Sequence, residues 1–190
     1  MSSTLWTWER CGDQILSLKN RLGFSDDICF LHFCVAEDGN ICDLLRDCMV
    51  HSPESLYWIL THYAQATEEP HTHELVPYDK LPGGYAFFGA FQQLTIHPLI
   101  DAFGENCSLF AKCSQYFKGE PQQYGDCSYT IPALPLIPIT ITLWQKSDEF
   151  DARCSVLYDS SASHYLPTED LAHLGALLSQ RLIAACEEIP

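Results

Sequence analysis

The segment Ile137–Trp144 reads IPITITLW, and a second β-forming run, residues 152–158, follows after a short acidic connection at 145–150. Two such runs joined by so few residues pair side by side in opposite directions, so they predict an antiparallel hairpin. A hairpin needs something to cover its apolar face, and each end of the chain offers a helix for it. Leu5, Trp8, Cys11, Ile15, Leu18 and Leu22 recur at helical steps, which predicts a helix over 4–22 with one apolar stripe, closed by Gly23. Leu171, Leu174, Leu178, Leu182 and Ala185 repeat the pattern in a last helix opened by residues 167–170. Both stripes packed on the sheet containing 137–144 and 152–158 give an α+β fold: helices on a small, mainly antiparallel sheet. With no repeat and no linker in the sequence, residues 1–190 read as a single domain.

Between these elements the reading is coarser. Residues 28–35, ICFLHFCV, predict one buried strand, followed by a turn at Asp38-Gly39-Asn40 and a return strand beginning at Ile41-Cys42. Ser52 is expected to cap a second helix with Pro53 at its first position and Leu56, Ile59, Leu60 and Tyr63 on its inner face. Residues 67–77 and 118–126 read as loops. Leu81-Pro82-Gly83-Gly84-Tyr85 is a turn leading into an aromatic helix through Phe87, Phe88, Phe91 and Leu94, punctuated by His97-Pro98, with further helix over 98–103 and 105–117.

The chain carries 25 acidic and 10 basic side chains, a formal charge of −15. That charge repels phosphate backbones and anionic bilayers, so neither a nucleic acid nor a membrane surface is the expected partner. No apolar run is long enough to span a membrane, MSSTLWTWER has neither a basic nor an apolar leader region, and AACEEIP carries no lipidation motif. The expected location is the cytoplasm. There the ten cysteines are expected to be mainly free thiols packed as small hydrophobes. Their spacings match neither zinc-finger nor ferredoxin patterns.

Three polar constellations stand out. His71-x-His73 followed by Glu74 has the alternation of a chelate but only two imidazoles, and reads more simply as a solvated loop. Asp159, Ser160 and His164, with Glu169 nearby, suggest a small hydrolase or metal-assisted hydrolase, although no nucleophile elbow surrounds the serine. The stretch 159–164, DSSASH, is rich in small residues that permit close approach of a ligand, ahead of Thr168, which is expected to cap the last helix.

LPGGY at 81–85, PALPLIPITITLW at 132–144 and LYDSSASHYLPTEDLAHLG at 157–175 together resemble domain of unknown function family 3786. The resemblance covers residues 75–182; the first 70 residues resemble it only in the order of elements. It implies an anaerobic setting, since members occur mainly in anaerobic bacteria and archaea. Some members carry an iron–sulfur binding segment ahead of the domain, which implies corrinoid-dependent or one-carbon redox metabolism. That segment is missing from this sequence, so no iron–sulfur cluster is expected. The function implied is non-enzymatic binding of a large cofactor, a cobalamin-type corrinoid, in anaerobic methyl transfer, with a corrinoid-dependent protein as partner. The expected cofactor-binding residues are Gly83, Gly84, Tyr85, Phe88, Asp159, Ser160, Ser161, Ser163 and Thr168, with an apolar wall from the aromatic helix and a polar rim from the serine loop. His97 or His164 is the candidate ligand to the cobalt.

Overall fold

The computed structural model describes residues 5–188, so Thr4 of the first predicted helix lies outside the described residues. The fold is α+β, with two antiparallel sheets and helices packed between and around them. The longer sheet has the order β5-β9-β8-β7-β6, where β5 is Leu75–Pro77, β6 Glu120–Gln122, β7 Cys127–Leu134, β8 Ile137–Trp144 and β9 Arg153–Asp159. The hairpin foreseen in the sequence is β8–β9, in register from Ile139 opposite Tyr158 to Trp144 opposite Arg153. As the central strand, β8 is buried on both faces through most of its length, which is why its sequence is continuously apolar and β-branched rather than alternating. β5 and β6 arise from segments read as loops. They are short edge strands, β6 polar and β5 apolar, that gain their partners only from β9 and β7.

The second sheet, β1 Ile28–Phe30, β2 Phe33–Val35, β3 Ile41–Asp43 and β4 Cys48–Met49, corrects the expectation of one strand over 28–35. The chain reverses at Leu31 and His32, both with left-handed φ of 46° and 60°. A tight hairpin demands that backbone conformation, and glycine or asparagine normally supplies it. Here distant contacts hold it: Leu31 is buried, the Arg181 Nε donates to its carbonyl at 3.0 Å, and the Leu44 amide donates to the His32 carbonyl at 2.8 Å.

α1 (Trp8–Leu16) is shorter than predicted, because Asn20 and Leu22 take left-handed turns, although Leu18 and Leu22 remain buried. It packs on α2 (Glu54–Tyr63) rather than on the hairpin sheet. Pro53, not Ser52, holds the N-cap position of α2, with no side-chain cap. The aromatic segment forms α3 (Gly84–Phe91), which continues through a π-turn at Gln92–Ile96 into α4 (His97–Phe103). His97-Pro98 therefore does not interrupt the helix. The wider turn just before it accommodates a residue that has no N–H to donate. Then come α5 (Cys107–Tyr116), capped by Asn106 Oδ1 on the Leu109 amide at 3.0 Å, the short α6 (Ala162–Tyr165), and α7 (Thr168–Glu188). α7 packs against α3, α4 and α5, and its apolar stripe of Leu171, Leu174, Leu178 and Leu182 is buried. Among the described residues no helix is long and apolar enough to cross a membrane.

Candidate functional site

β9 ends at Asp159, a carboxylate 4% exposed that accepts five hydrogen bonds. Oδ1 takes the Thr72 amide at 3.0 Å, Thr72 Oγ1 at 2.8 Å, the Ser161 amide at 3.0 Å and Ser161 Oγ at 2.6 Å; Oδ2 takes the His73 amide at 2.7 Å. Burial pushes its pKa up, but the Ser161 and Thr72 donors outweigh it and hold the carboxyl far below the ordinary range. Asp159 and Ser161 thus anchor the approach to β5 rather than presenting free groups. Ser160 Oγ lies 2.7 Å from Thr72 Oγ1. A cleft of about 410 Å³ opens beside this knot over the face of the longer sheet, lined by His71, His73, Lys118, Thr130, Thr140 and Asp159 among others. Its two imidazoles meet edge to face, with centroids 6.2 Å apart. Among the described residues no group of three or more His, Cys, Asp or Glu side chains is arranged to hold a metal.

The other half of the serine loop faces elsewhere. Ser163 and His164 line a second cleft with His62, Gln65 and Pro167. His164 Nε2 donates to the Thr67 carbonyl at 2.8 Å, and its Nδ1 is 3.5 Å from Glu69 Oε1. The buried Ser163 Oγ has no hydrogen-bond partner among the described residues. Neither cleft includes Gly83, Gly84, Tyr85 or Phe88. Direct bonds join the two expected halves instead: Thr168 Oγ1 donates to the Pro82 carbonyl at 2.6 Å, and the Tyr78 hydroxyl donates to the Thr168 carbonyl at 2.9 Å. Thr168 is therefore the first residue of α7 and a tie to the glycine turn, not a helix cap. That turn needs its glycines. Gly83 sits at φ +77°, and a Cβ on Gly84 would lie 2.0 Å from the Tyr78 carbonyl oxygen.

Beyond Gly84 the outer flank of α3 is open. Tyr85 is 83% exposed, Leu94 58% and Phe87 41%, while Phe88 is half-buried and Phe91 fills the core. Nothing lies within 4 Å of where a Gly89 side chain would begin, and Ala90 beside it is exposed. His97, also exposed, follows at the end of the π-turn. Exposed Tyr85, Phe87, Leu94 and His97 thus follow one another along this helical stretch, with Tyr85 and Phe87, two residues apart, on different sides of the open flank. The thiols are poorer ligands: burial pushes Cys113, Cys127 and Cys154 up to about 12, which keeps them protonated.

Sequence reasoning missed one arrangement. His62 Nδ1 lies 2.5 Å from Asp170 Oδ2, and the Trp58 indole N–H is 3.1 Å from the same nitrogen. Burial raises the Asp170 pKa, and the His62 contact only partly offsets it. The i,i+4 spacing of Trp58 and His62 was visible in the sequence; their meeting with Asp170 was not.

Two antiparallel sheets bridged by one long C-terminal helix, with an open aromatic flank and a carboxylate knot at the end of the last strand, define the class of this α+β protein. The chain belongs to the family described as Domain of unknown function (DUF3786), whose model matches residues 33–181. The match begins in β2, so it takes in most of the smaller sheet as well as the segments that carry the resemblance in the sequence. No curated protein and no solved structure matches the chain.

Proposed function

We propose that the chain is a cytoplasmic, non-enzymatic binding protein for a corrinoid of cobalamin type, acting in anaerobic methyl transfer beside a corrinoid-dependent partner. The observation that carries this reading is the uncovered flank of α3. A corrinoid is a wide, nearly flat ring with a polar rim, and it needs an apolar surface with donors and acceptors at its edge. Tyr85, Phe87 and Leu94 supply the surface, and Gly89 and Ala90 leave its middle low. His97 supplies an imidazole, the donor that a bound cobalt would take from the protein. His164 is the weaker candidate, because its Nε2 is already committed to Thr67. The π-turn between Leu94 and His97 is a further support, since such turns recur at functional sites. The test is an ultraviolet–visible titration with aquocobalamin. Binding with a shift of the cobalt bands that His97→Ala removes is the expected result. No binding at all sinks the reading, and binding untouched by His97→Ala and Tyr85→Ser moves the site elsewhere.

A hydrolase reading keeps one specific support. With Asp159 committed to backbone amides, the carboxylate that could orient a base is Asp170, against His62 Nδ1, and His62 and the unpartnered Ser163 Oγ line one cleft. Labelling of Ser163 by a fluorophosphonate, lost in His62→Ala, is its signature; an unlabelled protein excludes a nucleophilic serine there.

A further inference from the structure

The outer face of the smaller sheet is a row of sulfur. Cys29 pairs with Cys34 across β1–β2, Cys34 pairs with Cys42 across β2–β3, and Cys42 pairs with Met49 across β3–β4. Residues directly opposite in an antiparallel sheet project from the same face, so these four side chains stand side by side. Cys29 and Cys34 are joined as a disulfide, while Cys42 and the remaining seven cysteines are free thiols. Cys29 is exposed, and Cys34 and Cys42 are half-buried.

This disulfide is not simply set against solvent. Both of its residues line a cleft of about 390 Å³, with Phe30, Leu31, Phe117, Pro132 and Pro135 as apolar walls. Two polar side chains share that cleft. Lys118 brings a cation, and His32 brings an imidazole whose buried Nδ1 has no hydrogen-bond partner among the described residues. Burial, with Arg181 and Lys118 nearby, lowers the His32 pKa against the opposing pull of Asp43, which favours the uncharged ring. The cleft shares Lys118 and Pro132 with the one lined by His71 and His73, so the two are neighbours.

We propose that this cleft is a thiol–disulfide exchange site, independent of the cofactor reading, whose substrate is a dithiol. A neutral His32 accepts the proton of the incoming thiol, and Lys118 stabilises the resulting thiolate. The substrate sulfur attacks Cys29 Sγ, the more accessible end. The substrate–Cys29 bond forms, the Cys29–Cys34 bond breaks, and the electron pair leaves on Cys34 as a thiolate. The second substrate thiol then attacks the substrate sulfur of the mixed disulfide and releases Cys29. The substrate is oxidised to a disulfide, and the protein is reduced by the same two electrons. Cys42 adds an internal step: its thiolate attacks Cys34 Sγ, makes a Cys34–Cys42 bond and expels Cys29 as a thiolate, with no outside reactant. A disulfide that served only as a staple would have no use for a third thiol in register.

The test is mass-spectrometric mapping of the native, full-length protein, incubated with a dithiol peptide or with glutathione, quenched with acid and alkylated. With glutathione, which has one thiol, an adduct on Cys29 is the expected result; with the dithiol peptide, reduced Cys29 and Cys34 and an oxidised peptide are expected, and a peptide that reacts more slowly than glutathione counts against a dithiol substrate. Without added thiol, a minor Cys34–Cys42 linkage is expected, and Cys42→Ser removes it. Cys48→Ser, at an exposed thiol outside the row, leaves both results unchanged. His32→Gln slows adduct formation while circular dichroism shows the fold intact. A Cys29–Cys34 bond that stays unexchanged with both thiols while Cys48 alkylates overturns the proposal, and so does a Cys29 adduct that forms no faster than that of an unfolded peptide spanning residues 26–37.

Discussion

The two sheets solve the same problem with different means. In the longer one, β7, β8 and β9 carry seven or eight residues each, and Ile131, Ile139, Ile141, Leu143, Val156 and Tyr158 are buried. Its one buried carboxylate at a strand end, Asp159, is neutralised by neutral donors alone. In the smaller one no strand exceeds three residues, and apolar burial rests on Ile28, Phe30, Phe33 and Ile41. It adds a disulfide and a buried ion pair: Arg181 reaches from α7 to grip Asp43 through two bonds of 2.7 Å, with its guanidinium 4.1 Å from the centre of the Phe33 ring. A sheet with little apolar area relies on a few strong, specific ties, whereas one with ample area tolerates the loss of any single tie.

The largest effect expected from breaking this contrast is at Arg181. Burial alone would raise the Asp43 pKa; the Arg181 guanidinium and the Leu45 and Arg46 amides reverse that and hold it below the ordinary value. Arg181→Met leaves a buried carboxylate unpaired and costs about 3–5 kcal/mol in chemical denaturation. Arg181→Met with Asp43→Leu should recover most of that loss, because no charge is then stranded. A double variant as unstable as the single one would mean that Leu31, to which the Arg181 Nε donates, matters more than the charge.

Asp159→Asn sharpens the comparison from the other sheet. The amide removes the charge and turns one acceptor into a donor facing an amide N–H, so a loss of about 1–3 kcal/mol is expected. Its pH dependence has a definite sign. The folded pKa lies below the unfolded one, so the stabilisation is complete above the unfolded value of about 3.9 and is lost as the pH falls below it. Acid titration of stability should therefore show a shallower loss below that pH in Asp159→Asn than in the parent. Equal slopes would indicate that the amides of Thr72 and Ser161 do not hold the charge.

The disulfide comes next. Reducing a bond that closes so short a loop removes about 2 kcal/mol on the chain-entropy estimate. Cys29→Ser should lower the melting temperature and destabilise the smaller sheet first, seen as faster amide exchange at Ile28–Val35 pairs than in β8. Uniform acceleration across both sheets would show that they unfold as one unit and that the contrast is structural only.

The same contrast decides what the sequence made legible. β8, β9 and the stripe of α7 are long and continuously patterned, so periodicity alone located them. The reversal at Leu31-His32 was invisible because the residues are wrong for it by type, and the groups that hold it, such as Arg181, lie up to 150 positions away. β5 and β6 were missed because edge strands of three residues carry no period to read. At the candidate site, the sequence marked Asp159, Ser160 and Ser161 as unusual but not their partner Thr72, 87 positions earlier. It placed Phe87, Phe88, Phe91 and Leu94 on one helix, between a turn ending at Tyr85 and a break at His97-Pro98, but gave no sign of which face the core would take. The opening lies on Tyr85, Phe87 and Leu94.

The smallest effect tests how α7 is held at its two ends. Near its C-terminal half it is fixed to the smaller sheet by charge; at its start, besides the Asp170–His62 contact, it is fixed by neutral bonds, Thr168 Oγ1 to the Pro82 carbonyl and the Tyr158 hydroxyl to the Leu171 carbonyl at 2.8 Å. Thr168→Val keeps the shape and removes one hydroxyl. Thr168 is half-buried, so water can reach the Pro82 carbonyl when the hydroxyl is gone, and the cost should stay near 1 kcal/mol. The Tyr78 hydroxyl still donates to the Thr168 carbonyl, so the turn at Gly83 and Gly84 keeps its second tie. Because α3 starts from that turn, the variant also reports on function: cobalamin affinity should be little changed if the open flank binds as a rigid helical surface. A loss of several kcal/mol would show instead that the start of α7 depends on that single bond as strongly as its other end depends on Arg181, and the distinction between the two sheets would no longer extend to the helix that joins them.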